Sequence, residues 1–324
     1  MSSLINDPLI TWNNYPHVIS ADQFGPDSIK QLLLLAEHLL QARADHLRLL
    51  LRNANKLMVE LFYQPSTRTR LSFGIAMQRL GGMVISTENA KEFSSAAKGE
   101  SLTDSIKTLN ALGADVIVLR YHETGGAARA AEISQAPIIN AGDGTGEHPT
   151  QGLLDLLTIK KELGRLDNFS IAFVGDIYKS RTISSLVGLL RGFNGVEMHF
   201  VAPSYIELSP ATLKYLLDGR KKINRHLTLA EAIIKCDVVY MTRIQAENYA
   251  DDQTLKKLSK DLIDYSLNGP YHGKAVIMHP LPRNEEIAPD LDQNPKSAYF
   301  RQVGYGLCLR MALLLQIFGS KIIA

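Results

Sequence analysis

Short apolar runs that alternate with amphipathic helical segments, in two successive series, are what most limit the folds open to this chain. The first run, in the segment that opens at Lys56-Leu57-Met58-Val59-Glu60-Leu61-Phe62-Tyr63-Gln64, reads as a buried strand; Pro65 stops it, and helical spacing resumes at Leu71, Phe73, Ile75 and Met77. The spacing then predicts a strand near Met83–Ser86, a polar loop from Thr87 to Glu100 and a helix over Leu102–Leu112. A strand at Asp115–Leu119, a helix at Ala127–Ile133 and a strand at Pro137–Asn140 complete this series. The alternation restarts after a helix at Thr150–Leu163. Strands are predicted at Ser170–Val174, Glu197–Val201, Asp237–Met241 and Ala275–Met278, with helices at Thr182–Leu190 and Leu229–Ile234. Strands separated by helices imply parallel pairing through crossovers. The expected fold is α/β: two doubly wound domains with parallel β-sheets flanked by helices, joined by interdomain helices. At 324 residues the chain is long enough for both, one formed by 1–149 plus 305–324 and the other by 150–304. A helix from Gln31 to Ala42, after the start signal Pro26-Asp27-Ser28, faces the first core, and the apolar final helix Leu307–Phe318 packs back onto that half.

The first strand-to-helix turn carries Ser66-Thr67-Arg68-Thr69-Arg70. Unpaired amides and the positive end of the helix dipole favour an anion there, so three hydroxyls and two guanidiniums read as a phosphate cradle rather than as a simple Ser66 cap. Arg70 sits one turn further along and faces either ligand or a structural carboxylate. Lys and Arg total 35 against 33 Asp and Glu, so no broad basic surface exists for nucleic acid, and each arginine has to be judged locally. Cys236 and Cys308 lie far apart in apolar contexts and read as buried reduced thiols. The first residues lack the pattern of a signal peptide and no apolar run reaches membrane-spanning length, which makes the cytoplasm the expected compartment and excludes a membrane role.

In open α/β sheets ligands bind beyond the carboxyl ends of strands, and polar residues cluster at those positions here. Arg120 follows one strand, His148-Pro149-Thr150-Gln151 another, and Arg181 a third; Arg243 with Gln245, and His279-Pro280-Leu281-Pro282-Arg283, follow two more. A lone arginine or histidine is usually structural, but its recurrence at strand ends implies a small, acidic, phosphate-bearing ligand set. Gly175 stands without Gly-x-Gly-x-x-Gly spacing and the Gly-x-x-x-x-Gly-Lys-Ser/Thr loop is missing, which disfavours NAD and ATP. His148, His272 and His279 have no carboxylate or thiol at ligand spacing, so neither metal nor cofactor is expected.

Phe62–Phe73 (FYQPSTRTRLSF), Lys98-Gly99-Glu100-Ser101, Asn140–Leu156 (NAGDGTGEHPTQGLLDL), Met241–Gln245 (MTRIQ) and His279–Arg283 (HPLPR) together resemble the aspartate/ornithine carbamoyltransferase family. The resemblance covers nearly the whole chain. Pro280 stands where ornithine-specific members have cysteine, and Arg243 suits a β-carboxylate but repels an ammonium, which favours the aspartate side of the family. The resemblance implies transfer of the carbamoyl group of carbamoyl phosphate to the L-aspartate amine, giving N-carbamoyl-L-aspartate and phosphate in pyrimidine biosynthesis. It further implies a carbamoyl-phosphate domain in the first half and an aspartate domain in the second. Ser66, Thr67, Arg68 and Thr69 then hold the phosphate, Arg120 bridges phosphate and carbonyl, and His148 with Thr69 faces the carbonyl oxygen. Gln151 and the Pro280 and Leu281 carbonyls take the carbamoyl amide; Arg181 takes the α-carboxylate, and Arg243 with Gln245 the β-carboxylate. No protein general base is evident, and the departing phosphate accepts the amine proton.

The same resemblance implies that Ser94 and Lys98 reach the active site of an adjacent subunit, so the expected assembly is a homotrimer with shared sites, which regulatory chains can join. Gln64 stands where the family commonly has glutamate and Asn248 where it commonly has arginine, which implies domain closure that is either less strongly stabilised or stabilised through different contacts. Tyr178-Lys179-Ser180 also departs from familiar variants. Other readings are a nonenzymatic small-anion sensor and a transferase acting on a different acidic amine.

Overall fold

A computed structural model describes residues 15–48, 50–51, 54–243, 256–257, 260–261 and 265–319. The chain divides into two compact units, Met1–Leu153 with Gly304–Ala324, and Leu154–Val303.

The first unit holds strands β1 (Leu57–Phe62), β2 (Met83–Thr87), β3 (Val116–Tyr121) and β4 (Ile138–Asp143) in a parallel sheet of order β2-β1-β3-β4. β1 and β3 are central and covered on both faces, hence their near-continuous apolar sequence. β2 is an edge strand, and its Met83 and Ile85 are exposed. Beyond β4, Val18 exchanges backbone hydrogen bonds with Ile138 and Asn140 and lengthens the sheet.

Helices α1 (Pro26–Gln41), α2 (Thr67–Arg79), α3 (Leu102–Ala111) and α4 (Gly126–Ile133) belong to this unit. α1 starts five residues before the predicted Gln31, because Pro26 is suited to the first helical turn, where its missing N–H costs nothing. The predicted polar loop at Thr87–Glu100 contains a short helix, Ala90–Phe93, and a 3-10 turn, Ser95–Lys98. Periodicity could not show elements this short; their signal is Ser94, whose hydroxyl caps the second by accepting the Ala96 N–H at 3.1 Å.

The second unit repeats the plan with β5 (Ser170–Gly175), β6 (Glu197–Val201), β7 (Val238–Thr242) and β8 (Val276–Met278), parallel in the order β6-β5-β7-β8. α6 (Arg181–Leu190), α7 (Pro210–Asp218) and α8 (Leu229–Lys235) accompany it; α7, unpredicted from periodicity, is announced by the Ser209 cap and Pro210. On one face Val174, Val239, Met241 and Ile277 pack with Leu229 and Ala232; on the other Phe173 stacks on Phe200 at 5.4 Å. The division between the units falls inside α5 (Pro149–Leu163) and α9 (Tyr299–Phe318). Within the first unit, Arg310 of α9 lies 5.1 Å over the Phe73 ring. Cys236 and Cys308 are buried and free, and burial pushes the Cys236 thiol up to about 11.

Candidate active site

Both sheet orders reverse direction between their first and third strands, β1/β3 in one unit and β5/β7 in the other, and crevices form at such reversals. Ser66–Thr69, Arg120, Arg181 and Arg243 lie at the ends of those strands, whereas His148 and Gln151 follow the outer strand β4 and Pro280 and Leu281 the outer strand β8.

In the first unit Ser66 is the N-cap of α2, yet its hydroxyl caps no helical amide. Thr67–Thr69 form the first turn, where three consecutive side chains and the amides share one helix end. Arg70 lies outside this group: it pairs with Glu88 at 2.8 Å and donates to Ser86 Oγ at 3.3 Å, so it faces a structural carboxylate. Glu88, unrecognised from the sequence, also accepts the Ser66 N–H at 3.4 Å. Register places Arg120 opposite Phe62, the last residue of β1, and its guanidinium donates to the Ala141 carbonyl at 3.2 Å.

His148 is buried beside Thr69, with Nε2 3.5 Å from Thr69 Oγ1 and Nδ1 3.3 Å from Thr150 Oγ1. The Gln151 N–H donates to the His148 carbonyl at 2.9 Å, which sets both residues at the start of α5. The approach to His148 is fixed by Asp143, which accepts the Gly125 N–H at 2.8 Å and the Glu147 N–H at 3.0 Å. Gly144 is required there: φ is +48°, and a Cβ would stand 2.7 Å from the Thr124 nitrogen. Asp143 and Glu147 were missed as supports, although the Asp-Gly-Thr-Gly-Glu run carries a turn signal. Ser94 is half-buried and its hydroxyl donates to the Ala90 carbonyl, whereas Lys98 is exposed.

In the second unit Arg181 opens α6 after β5 and the Asp176–Ser180 turn, and Arg243 follows β7 and is half-buried. Gly175 permits the close approach of these strands, since a Cβ there would meet the Thr242 carbonyl at 2.4 Å. Pro280 and Leu281 follow β8. Arg283, in the same motif, is occupied elsewhere: it forms a two-pronged pair with Asp292 and lies 5.3 Å over Tyr299. Gln245 and Asn248 lie outside the described residues, whereas Gln64 is half-buried in the turn after β1. Among the described residues no cluster of His, Cys, Asp and Glu is placed to hold a metal ion, and no helix is long and apolar enough to cross a membrane.

The family model described as "Aspartate/ornithine carbamoyltransferase, carbamoyl-P binding domain" matches residues 16–161, and that described as "Asp/Orn binding domain" matches 167–317. The chain belongs to the aspartate/ornithine carbamoyltransferase family. Among relatives, "Aspartate carbamoyltransferase, chloroplastic" of Arabidopsis thaliana is 50% identical over 260 residues, covering 80% of this chain and 66% of that protein. The catalytic subunit of M. jannaschii aspartate transcarbamoylase has 43% identity and a TM-score of 0.83, over 94% of this chain and 98% of that one. The Trypanosoma cruzi aspartate transcarbamoylase, solved with carbamoyl phosphate and aspartate, has 37% identity and a TM-score of 0.84, over 95% and 98%. The two solved structures share the fold of two parallel-sheet α/β units described above.

Proposed function

We propose that this chain transfers the carbamoyl group of carbamoyl phosphate to the amine of L-aspartate, giving N-carbamoyl-L-aspartate and phosphate. The observation that carries this reading is the α2 N-terminus: Ser66–Thr69 lie at the carboxyl end of β1, Arg120 is in register beside it, and buried His148 contacts Thr69. Such an end binds a phosphoryl group and stabilises the charge of phosphate as it departs. Arg120 and His148 suit the carbonyl oxygen, Gln151 with the Pro280 and Leu281 carbonyls the amide, and Arg181, Arg243 and Gln245 the two carboxylates of aspartate. The amine nitrogen attacks the carbamoyl carbon, the carbon–oxygen bond to phosphate breaks, and the amine proton leaves on phosphate. On this reading the first unit is the carbamoyl-phosphate domain, the second the aspartate domain, and the compartment the cytoplasm.

A homotrimer with Ser94 and Lys98 serving the adjacent subunit belongs to the same proposal. It is supported by the exposure of Lys98 and by apolar side chains left exposed on α2 (Leu71, Ile75) and β2 (Met83, Ile85). Supplying carbamoyl phosphate with aspartate or ornithine and identifying the product tests the function. Carbamoyl aspartate, with little or no citrulline, is expected; citrulline as the main product, or neither product, refutes it.

A further inference from the structure

Pro280 and Leu281 are proposed to act through backbone carbonyls, so the backbone alone sets their aim. Leu281 has φ of 56°, a left-handed conformation that a branched side chain adopts only under constraint. Its N–H donates to His279 Nδ1 at 2.7 Å. A ring nitrogen that accepts carries no proton, so the neutral imidazole holds its proton on Nε2, 2.8 Å from Glu286 Oε1. The His279 side chain is fully buried, and Glu286 is tied down in turn by the Asn284 N–H at 3.1 and 3.2 Å to its two oxygens. Behind the ring, the His279 N–H donates to Gln302 Oε1 at 3.1 Å and Gln302 Nε2 to Asp155 Oδ1 at 2.6 Å. The other Asp155 oxygen takes the Tyr240 hydroxyl at 2.8 Å. Both backbone and ring of His279 are thus fixed within the second unit, and towards the proposed ligand carbonyls the ring accepts the Leu281 amide.

We infer that His279, oriented by Glu286, is a positioning residue that fixes the Leu281 backbone so that the Pro280 and Leu281 carbonyls meet the carbamoyl amide of the substrate. This rests on the transferase reading above. It predicts an effect confined to the carbamoyl end of carbamoyl phosphate, because the phosphate is held by the other unit's residues.

Two substitutions separate positioning from simple stability. In His279→Asn the carboxamide oxygen stands where Nδ1 stands and keeps the Leu281 bond; in His279→Gln the amide replaces Nε2 and the Leu281 bond is lost. His279→Gln is expected to raise KM for carbamoyl phosphate about tenfold and lower kcat, while inhibition by inorganic phosphate changes by less than about twofold. His279→Asn is expected to stay within about threefold of the native KM, the loss of one charge-assisted bond to Glu286 notwithstanding. Should His279→Gln not fold, Glu286→Ala, which frees the ring, is expected to show the same split. Equal losses in both His279 variants together with weaker phosphate inhibition, or an unchanged KM in His279→Gln, overturn the inference. Native protein that makes no carbamoyl aspartate overturns the proposed function and this inference with it. Native activity with indifferent variants overturns the inference alone.

Discussion

Glu60 is the one charged residue in the run that forms β1, and it is 2% exposed. The Ser86 hydroxyl, Arg70 and the Gly74 backbone of α2 surround it. Burial raises its carboxyl from 4.5 to about 7, against the opposing pull of Ser86 and Arg70. Because the folded value exceeds the unfolded one, the folded chain binds a proton between these values that the unfolded chain does not. Stability from this group is full below pH 4.5, falls as pH rises to about 7, and is then flat. Glu60→Gln keeps the shape without the charge, so it should be more stable than the native chain at pH 8, by up to about 3 kcal/mol, and match it near pH 4.5. Chemical denaturation at both pH values checks this, and an identical pH slope in the two proteins would sink it. The same neighbourhood settles Arg70, whose sequence position left ligand and carboxylate equally open: only the fold brings Glu88 to it.

At the scale of elements, each sheet begins with the same device. Asp115, just before β3, accepts the Leu57 N–H at 2.8 Å, and Asp237, just before β7, accepts the Ser170 N–H at 2.9 Å; each aspartate thus ties the start of the third strand to that of the first. Asp237 also takes the Ser170 hydroxyl at 3.3 Å, and Asp115 pairs with Lys56. Asp237→Ala leaves a part-buried strand amide without its acceptor and is expected to cost about 1–3 kcal/mol, seen as a lower urea midpoint with unchanged m-value. A midpoint shift below about 0.3 kcal/mol would show that water replaces the carboxylate. The strands themselves were legible within a residue or two, except that β4 runs on to Asp143, past the apolar residues that signal burial. That end of β4 pairs through Asn140 and Asp143, polar residues opposite Leu119 and Tyr121 that an apolar pattern cannot register. The Thr87–Glu100 stretch misled for the same reason, its turns being held by Ser94 and Asn89 rather than by an apolar stripe.

For the whole molecule, the proposed ligand groups among the described residues were legible because they lie at or just beyond the carboxyl ends of strands, positions that strand prediction locates. Supports such as Glu88 and Asp143, and the His279–Glu286 pair, were not, since they act by contacts that only folding creates. Lys98 belongs to neither class. It is exposed at the end of its 3-10 turn, and a site that needs it from a neighbouring subunit makes a quantitative demand on assembly. On the proposed homotrimer with shared sites, Lys98→Ala and Arg68→Ala chains should each be nearly inactive alone, because each lacks a positive group that the proposed mechanism sets against developing charge. In any mixed ring of three, one junction of the three joins an intact Arg68 to an intact Lys98. Random reassortment of equal amounts makes three quarters of the rings mixed, so about a quarter of native activity is expected to return. Purified mixed trimers should give about a third, the same for either composition, because both contain one such junction. Were Lys98 to serve its own subunit, every site in a mixed ring would still lack one group and no activity would return. Mixing after mild dissociation, with activity followed against the separated species, therefore distinguishes the two arrangements by amount as well as by presence.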